Sequence, residues 1–165
     1  MTQNLLTDNA SGRKLRVFFS YSHKDEAYRD ELEKHLTMLK RSNLIETWHD
    51  RKIIASDNWD QSIMENLEHA DIILLLLSAD FLASEYIWEK ELGIIRKRQE
   101  ANDNFRVVPI FLRHCDLTDF DQMKYQALPS DKKWILSEKW PYKDKAYEAV
   151  AHGLRNLLNE MSKKP

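Results

Sequence analysis

The sequence predicts an α/β domain: an open parallel sheet with helices packed on both faces. Three observations predict it. Segments dense in β-formers alternate with segments of helical periodicity about five times, the pattern of successive strand–helix–strand crossovers. The run "DIILLLLS" (71–78) is continuously apolar between polar neighbours, which suits a strand buried on both faces. The 165 residues, 42% of them hydrophobic and 32% charged, suffice for one soluble domain with a real core.

Residues 1–13 read as a polar tail, and 14–162 as a single domain. "LRVFFSY" (15–21) is the first strand. Ser22 and Asp25 fit an S-x-x-D capping box that opens the first helix. Tyr28, Leu32, Leu36 and Leu39 then recur at helical spacing. "LIETW" (44–48) is the second strand, and a polar loop, "HDRKIIASDN", follows it. Asn58 and Gln61 cap the next helix, which places Trp59, Ile63 and Leu67 on one face. The third strand is the run 71–78.

"SADFLASEYIWEKELGII" (78–95) reads as a loop feeding a helix, with Ser84 as N-cap. At 100° per residue Ile87, Trp88, Leu92, Ile94 and Ile95 gather on one side, and Glu91 projects into the middle of that apolar stripe. "RVVPIF" (106–111) is the fourth strand, although Pro109 removes a ladder donor. "WIL" (134–136) is a short fifth strand. The last helix, about 143–161, aligns Tyr147, Val150, Leu154, Leu157 and Leu158.

Several function classes are disfavoured at once. A net charge of −2 offers no bulk attraction for nucleic acid or an anionic membrane. The longest apolar run, Ile72–Leu77, is too short to span a bilayer, and "MTQNLLTDNASGRK" lacks a signal-peptide core. One cysteine, Cys115, excludes an internal disulfide and fits a reducing cytoplasm. Three glycines, Gly12, Gly93 and Gly153, leave no Gly-rich phosphate loop. His114, Cys115 and Asp116 are adjacent and do not converge as metal ligands; no metal site is expected.

In such a sheet, ligands sit beyond the carboxyl ends of the strands, near the switch point in strand order. Three segments leave those ends: "SYSHKD", "HDRKIIASDNW" and "SADFLASEYIWEKEL". Together they bring to one rim the hydroxyls Ser20, Tyr21 and Ser22, the cations Arg51 and Lys52, the aromatics Trp59 and Trp88, and the inward Glu91. Such a set suits a polar ligand with rings and phosphates. A receiver domain, which takes phosphate on aspartate, needs an acidic pair after strand one and an aspartate ending strand three. Ser20-Tyr21 and Leu77-Ser78 stand there instead.

"VFFSYSHKDE", then "WHDRKIIASDNWDQSIMENLEHADIILLLLS", then "SEYIWEKEL" resemble, in order and spacing, the three signatures of a TIR domain of the bacterial, NAD-cleaving type. The resemblance implies a flavodoxin-like three-layer sandwich around a five-stranded parallel sheet in the order 2-1-3-4-5. It implies cleavage of NAD, as substrate and not cofactor, at the nicotinamide–ribose bond, with a linear or cyclic ADP-ribose product. The family's glutamate, in the helix after strand three and just before an aliphatic residue, matches Glu91, followed by Leu92. Phe18, Ser20, Tyr21, Asp50, Arg51, Lys52, Trp59, Ile87 and Trp88 form the expected substrate-binding set. Ile87 stands where the family often has tryptophan, with Tyr86 and Trp88 on either side. Ala55-Ser56 stands where the loop commonly has Pro-Gly. The resemblance further implies activation by TIR–TIR self-association, a fused or separate sensor domain, and a cytoplasmic role in bacterial immune signalling.

Chemistry makes one carboxylate sufficient. Nicotinamide is a cationic leaving group that departs neutral, so the paired acids of ordinary glycosidases are not required. A single carboxylate stabilises the oxocarbenium-like ribose by its field or by hydrogen bonds to the hydroxyls. The bland alternatives are an inward Glu91 that only bridges a base, tryptophans that only fill the core, and an adaptor that acts by binding other TIR surfaces.

Overall fold

The computed structural model describes residues 13–48, 59–131 and 133–163. Four strands form one sheet: β1 (Leu15–Ser20), β2 (Ile45–Trp48), β3 (Ile72–Leu77) and β4 (Arg106–Phe111). All pair in parallel, in the order β2-β1-β3-β4. The helices are α1 (Glu26–His35), α2 (Thr37–Arg41), α3 (Trp59–His69), α4 (Ala79–Ala83), α5 (Leu92–Glu100) and α6 (Lys143–Lys163). Among the described residues no helix is long and apolar enough to cross a membrane.

Strand alternation divides the core into two layers. Val17, Phe19, Leu74, Leu76, Val108 and Ile110 face one way and pack against Leu32 and Leu36 of α1 and its cap, Leu39 of α2, and Tyr147, Val150, Leu154 and Leu158 of α6. Phe18, Ile73, Leu75, Leu77, Val107 and Phe111 face the other way, against Ile63 and Leu67 of α3, Phe81 of α4, and Ile87, Leu92, Ile94 and Ile95 around α5. All six residues of β3 are buried, as a strand covered on both faces must be.

Local chemistry sets the element ends. Ser78 Oγ accepts from the Phe81 N–H at 3.0 Å and starts α4. Asn43 and Asn102 take the left-handed conformation, at φ 59° and 57°, immediately after the C-caps of α2 and α5. Each helix closes in a Schellman pattern: Leu44 N–H to Leu39 O (3.1 Å) and Asn43 N–H to Lys40 O (3.0 Å), then Asp103 N–H to Arg98 O (3.0 Å) and Asn102 N–H to Gln99 O (3.1 Å). Asparagine does there what glycine usually does.

The fifth strand expected at 134–136 is not formed as such. Leu128 makes an isolated parallel bridge to Ile110. The Ile135 and Leu136 N–H groups donate to Phe111 O (2.8 Å) and Leu112 O (3.0 Å), at and just past the end of β4. On the same edge the Leu128 N–H donates to Pro109 O (2.9 Å) and the Phe111 N–H to Leu128 O (2.9 Å), while Pro109 has no N–H of its own to offer. The capping box also resolves differently. Ser22 accepts from Lys24 N–H at 3.3 Å, but Asp25 is fully buried and bonded elsewhere.

Candidate active site

The chain switches direction between β1 and β3, and a cavity of about 380 Å³ opens there, beyond the carboxyl end of β1. Phe18, Phe19 and the loop Tyr21–Lys24 wall one side; Ile63 of α3 and Ser84, Tyr86, Ile87 and Glu91 wall the other.

Glu91 is 6% exposed and still lines this opening. Its placement comes from an unusual turn. Ser84 Oγ accepts from Ile87 N–H at 3.3 Å, the expected cap. The chain then runs through one π-helical turn, Ile87–Glu91, with the Leu92 N–H bonded to Ile87 O. A π turn holds an extra residue and turns less per residue than an α-helix. Ile87 and Glu91, four residues apart, share one face and both meet the cavity. Trp88 is displaced from the apolar stripe that a strict 100° spacing gives it.

The structure thus brings together four of the expected residues: Phe18, Tyr21, Ile87 and Glu91. Phe18 also stacks on Trp48, centroids 5.2 Å apart. Ser20 is buried on the same sheet face as Phe18, and its Oγ has no hydrogen-bond partner among the described residues. Trp88 is 42% exposed and lines a separate groove with Glu85, Asp116, Asp119 and Phe120. Arg96 lies over its ring at 5.3 Å. Asp50, Arg51 and Lys52, with Ala55-Ser56 and Asn58, lie outside the described residues, as does the side chain of Trp59.

Two features lie outside the expected substrate-binding set. Tyr86 lines the cavity, and its O–H donates to Asp60 Oδ1 at 2.5 Å, tying the start of α3 to the cavity wall. The second is a charged network at the rim. Asp25 accepts from Ser78 Oγ (2.5 Å) and from Arg113 Nε (2.7 Å). Arg113 also donates to Asp80 Oδ2 at 2.6 Å, and that hydrogen bond holds the Asp80 carboxyl below the usual carboxylate range. This network pins the Ser22–Asp25 turn to the ends of β3 and β4. Asp25 and Arg113 are 88 positions apart, and nothing local in either segment announces the pair.

A family profile described as the TIR domain matches residues 17–151. The chain belongs to the TIR domain family. The crystal structure of the RPS4 and RRS1 TIR domain heterodimer has the same fold at a TM-score of 0.53 and 14% identity, covering 87% of this chain and 97% of that one. An uncharacterized protein of Sinorhizobium fredii (strain NBRC 101917 / NGR234), y4lF, is 44% identical over 147 residues. That alignment covers 89% of this TIR chain and 45% of the relative, so the chain spans about half the length of the curated relative it matches.

Chemically, the arrangement is a carboxyl group in a low-dielectric wall, beside aromatic and aliphatic surface. Such a wall strengthens the field of a charge within it.

Proposed function

We propose that this TIR domain cleaves NAD at the nicotinamide–ribose bond, with Glu91 as the functional acid. One observation carries the reading: Glu91 is nearly buried yet borders an open cavity at the topological switch point, instead of being sealed in the core. The aromatic wall of Tyr86, Tyr21 and Phe18 offers faces for the flat nicotinamide ring. As the glycosidic bond stretches, positive charge moves from the pyridinium onto the ribose, and Glu91 stabilises it there. Nicotinamide departs neutral, so no second acid has to be found. Water or an internal nucleophile then completes a linear or cyclic ADP-ribose product. The domain acts as an effector module in bacterial immune signalling and is activated by self-association.

The test is nicotinamide release from NAD by concentrated protein, with products identified by mass spectrometry. Glu91→Gln keeps the size and loses the charge; turnover is expected to fall by about 10²–10³-fold, the scale of losing one electrostatic stabiliser. Equal turnover in the variant overturns the role of Glu91. The second reading is a non-enzymatic adaptor, which the heterodimeric assembly of the RPS4 and RRS1 TIR domains favours. Absence of wild-type turnover at every concentration selects it.

A further inference from the structure

The cavity bordered by Glu91 also has a lysine among its lining residues. Among the described residues that line it, Lys24 is the only lysine or arginine. Glu91 is nearly buried, whereas the Lys24 side chain is 78% exposed. The two groups therefore differ sharply in their access to solvent. Lys24 also has an internal partner: its Nζ lies 3.6 Å from Asp80 Oδ1, a looser contact than the 2.6 Å bond Arg113 makes to the other oxygen of Asp80. The backbone beneath Lys24 is fixed, because its N–H donates to Ser22 Oγ and the next residue, Asp25, is locked to Ser78 and Arg113.

We infer that Lys24 is a specificity-determining residue for the diphosphate of the substrate, kept against Asp80 until a phosphate-bearing ligand enters. The inference rests on the NAD-cleaving reading and adds to it the group that recognises the anionic half of the dinucleotide. A ligand that puts its ribose beside Glu91 trails its diphosphate toward the mouth. There an ammonium on a flexible stem meets it as a point charge. The exposed pair with Asp80 is weak and costs little to exchange for a doubly charged partner. Arg113 keeps Asp80 in place when Lys24 leaves, so the exchange moves one side chain and no backbone.

The experiment compares NAD with nicotinamide riboside, which carries the same scissile bond and no phosphate. Lys24→Ala is expected to raise KM for NAD roughly tenfold, the scale of one charged hydrogen bond, with kcat and riboside cleavage unchanged. Lys24→Arg restores most of the loss. Asp80→Asn retains an acceptor for Arg113, frees Lys24, and is expected to lower KM for NAD about threefold. Unchanged NAD kinetics in Lys24→Ala, or an equal loss on both substrates, overturns the inference and leaves the NAD-cleaving reading standing. If the wild-type protein cleaves neither substrate, that reading fails, and inorganic pyrophosphate decides the Lys24 inference alone. Pyrophosphate must then perturb the amide resonances of residues 22–24 in the wild-type chain and not in Lys24→Ala; no perturbation overturns it.

Discussion

Tyr86 and Trp88 are two positions apart and line different grooves. Residues two apart on a helix do not share a face, and a kinetic comparison reads out which face meets the substrate. Replacing Tyr86 by leucine removes both an aromatic face from the Glu91 cavity and the O–H bonded to Asp60. A fall of at least about fivefold in kcat/KM for NAD is expected, the lower end of what one stacking contact contributes. Trp88→Leu, which disturbs a ring held by Arg96 and Phe120, is expected to change it by less than about twofold. The reverse ranking moves the substrate to the other groove. The two residues also show what was legible. Glu91 stood out because a carboxylate inside an apolar stripe breaks the helical pattern. Trp88 was misplaced because a π turn leaves no mark that a periodicity fixed at 3.6 residues can register. Asp25 and Arg113 were illegible for another reason: their bond is made by the sheet, which places the ends of β1 and β4 on one rim.

At the scale of elements, the layers followed from alternation of strand and helix, and from one strand with no polar residue. The helix ends Asn43 and Asn102 were legible in principle as asparagines beyond periodic segments. The interior of α1 was not. Arg29 is fully buried against the rings of Phe19 (5.0 Å) and Tyr21 (5.9 Å), and it donates to Asp30 and Glu33. Glu33 in turn accepts from Thr47 of β2 and from Lys40 of α2. Burial pushes the Glu33 carboxyl up, but the hydrogen bonds from Thr47 and Arg29 outweigh it and hold the group down at about 2, against an ordinary 4.5. The folded state therefore binds the proton less readily than the unfolded chain. The stability this supplies is complete above about 4.5 and is lost as pH falls toward about 2. Urea unfolding across that window is expected to show a steep loss in the wild-type chain and a shallower one in Glu33→Gln, which is already weakened at neutral pH. Parallel curves for the two proteins contradict the assignment of that acid limb to the link between α1 and β2.

At the scale of the whole molecule, the cavity has one wall on the β1 loop, one on α3 and one on the π turn, and these are held together by bonds between elements and not within them: Tyr86 to Asp60, Asp25 to Ser78 and Arg113. A site assembled from three segments at a sheet rim is sensitive to whatever packs on that rim. If neighbouring TIR domains complete it, activity must depend on how much of the protein is associated. Well below the dissociation constant of that contact, the associated fraction rises in proportion to protein concentration; well above it, the fraction is constant. Nicotinamide released per molecule is thus expected to climb with concentration and then level off. Forced clustering through a fused oligomeric tag is expected to bring dilute protein to the same plateau, because tethering replaces bulk concentration with a high local one. The discriminating quantity is the plateau value. If clustering raises it beyond what concentrated untagged protein reaches, the tag has created a geometry that free association does not. If turnover per molecule is flat from dilute to concentrated protein and Glu91→Gln still abolishes it, the cavity is complete within one chain, and self-association serves signalling without touching catalysis.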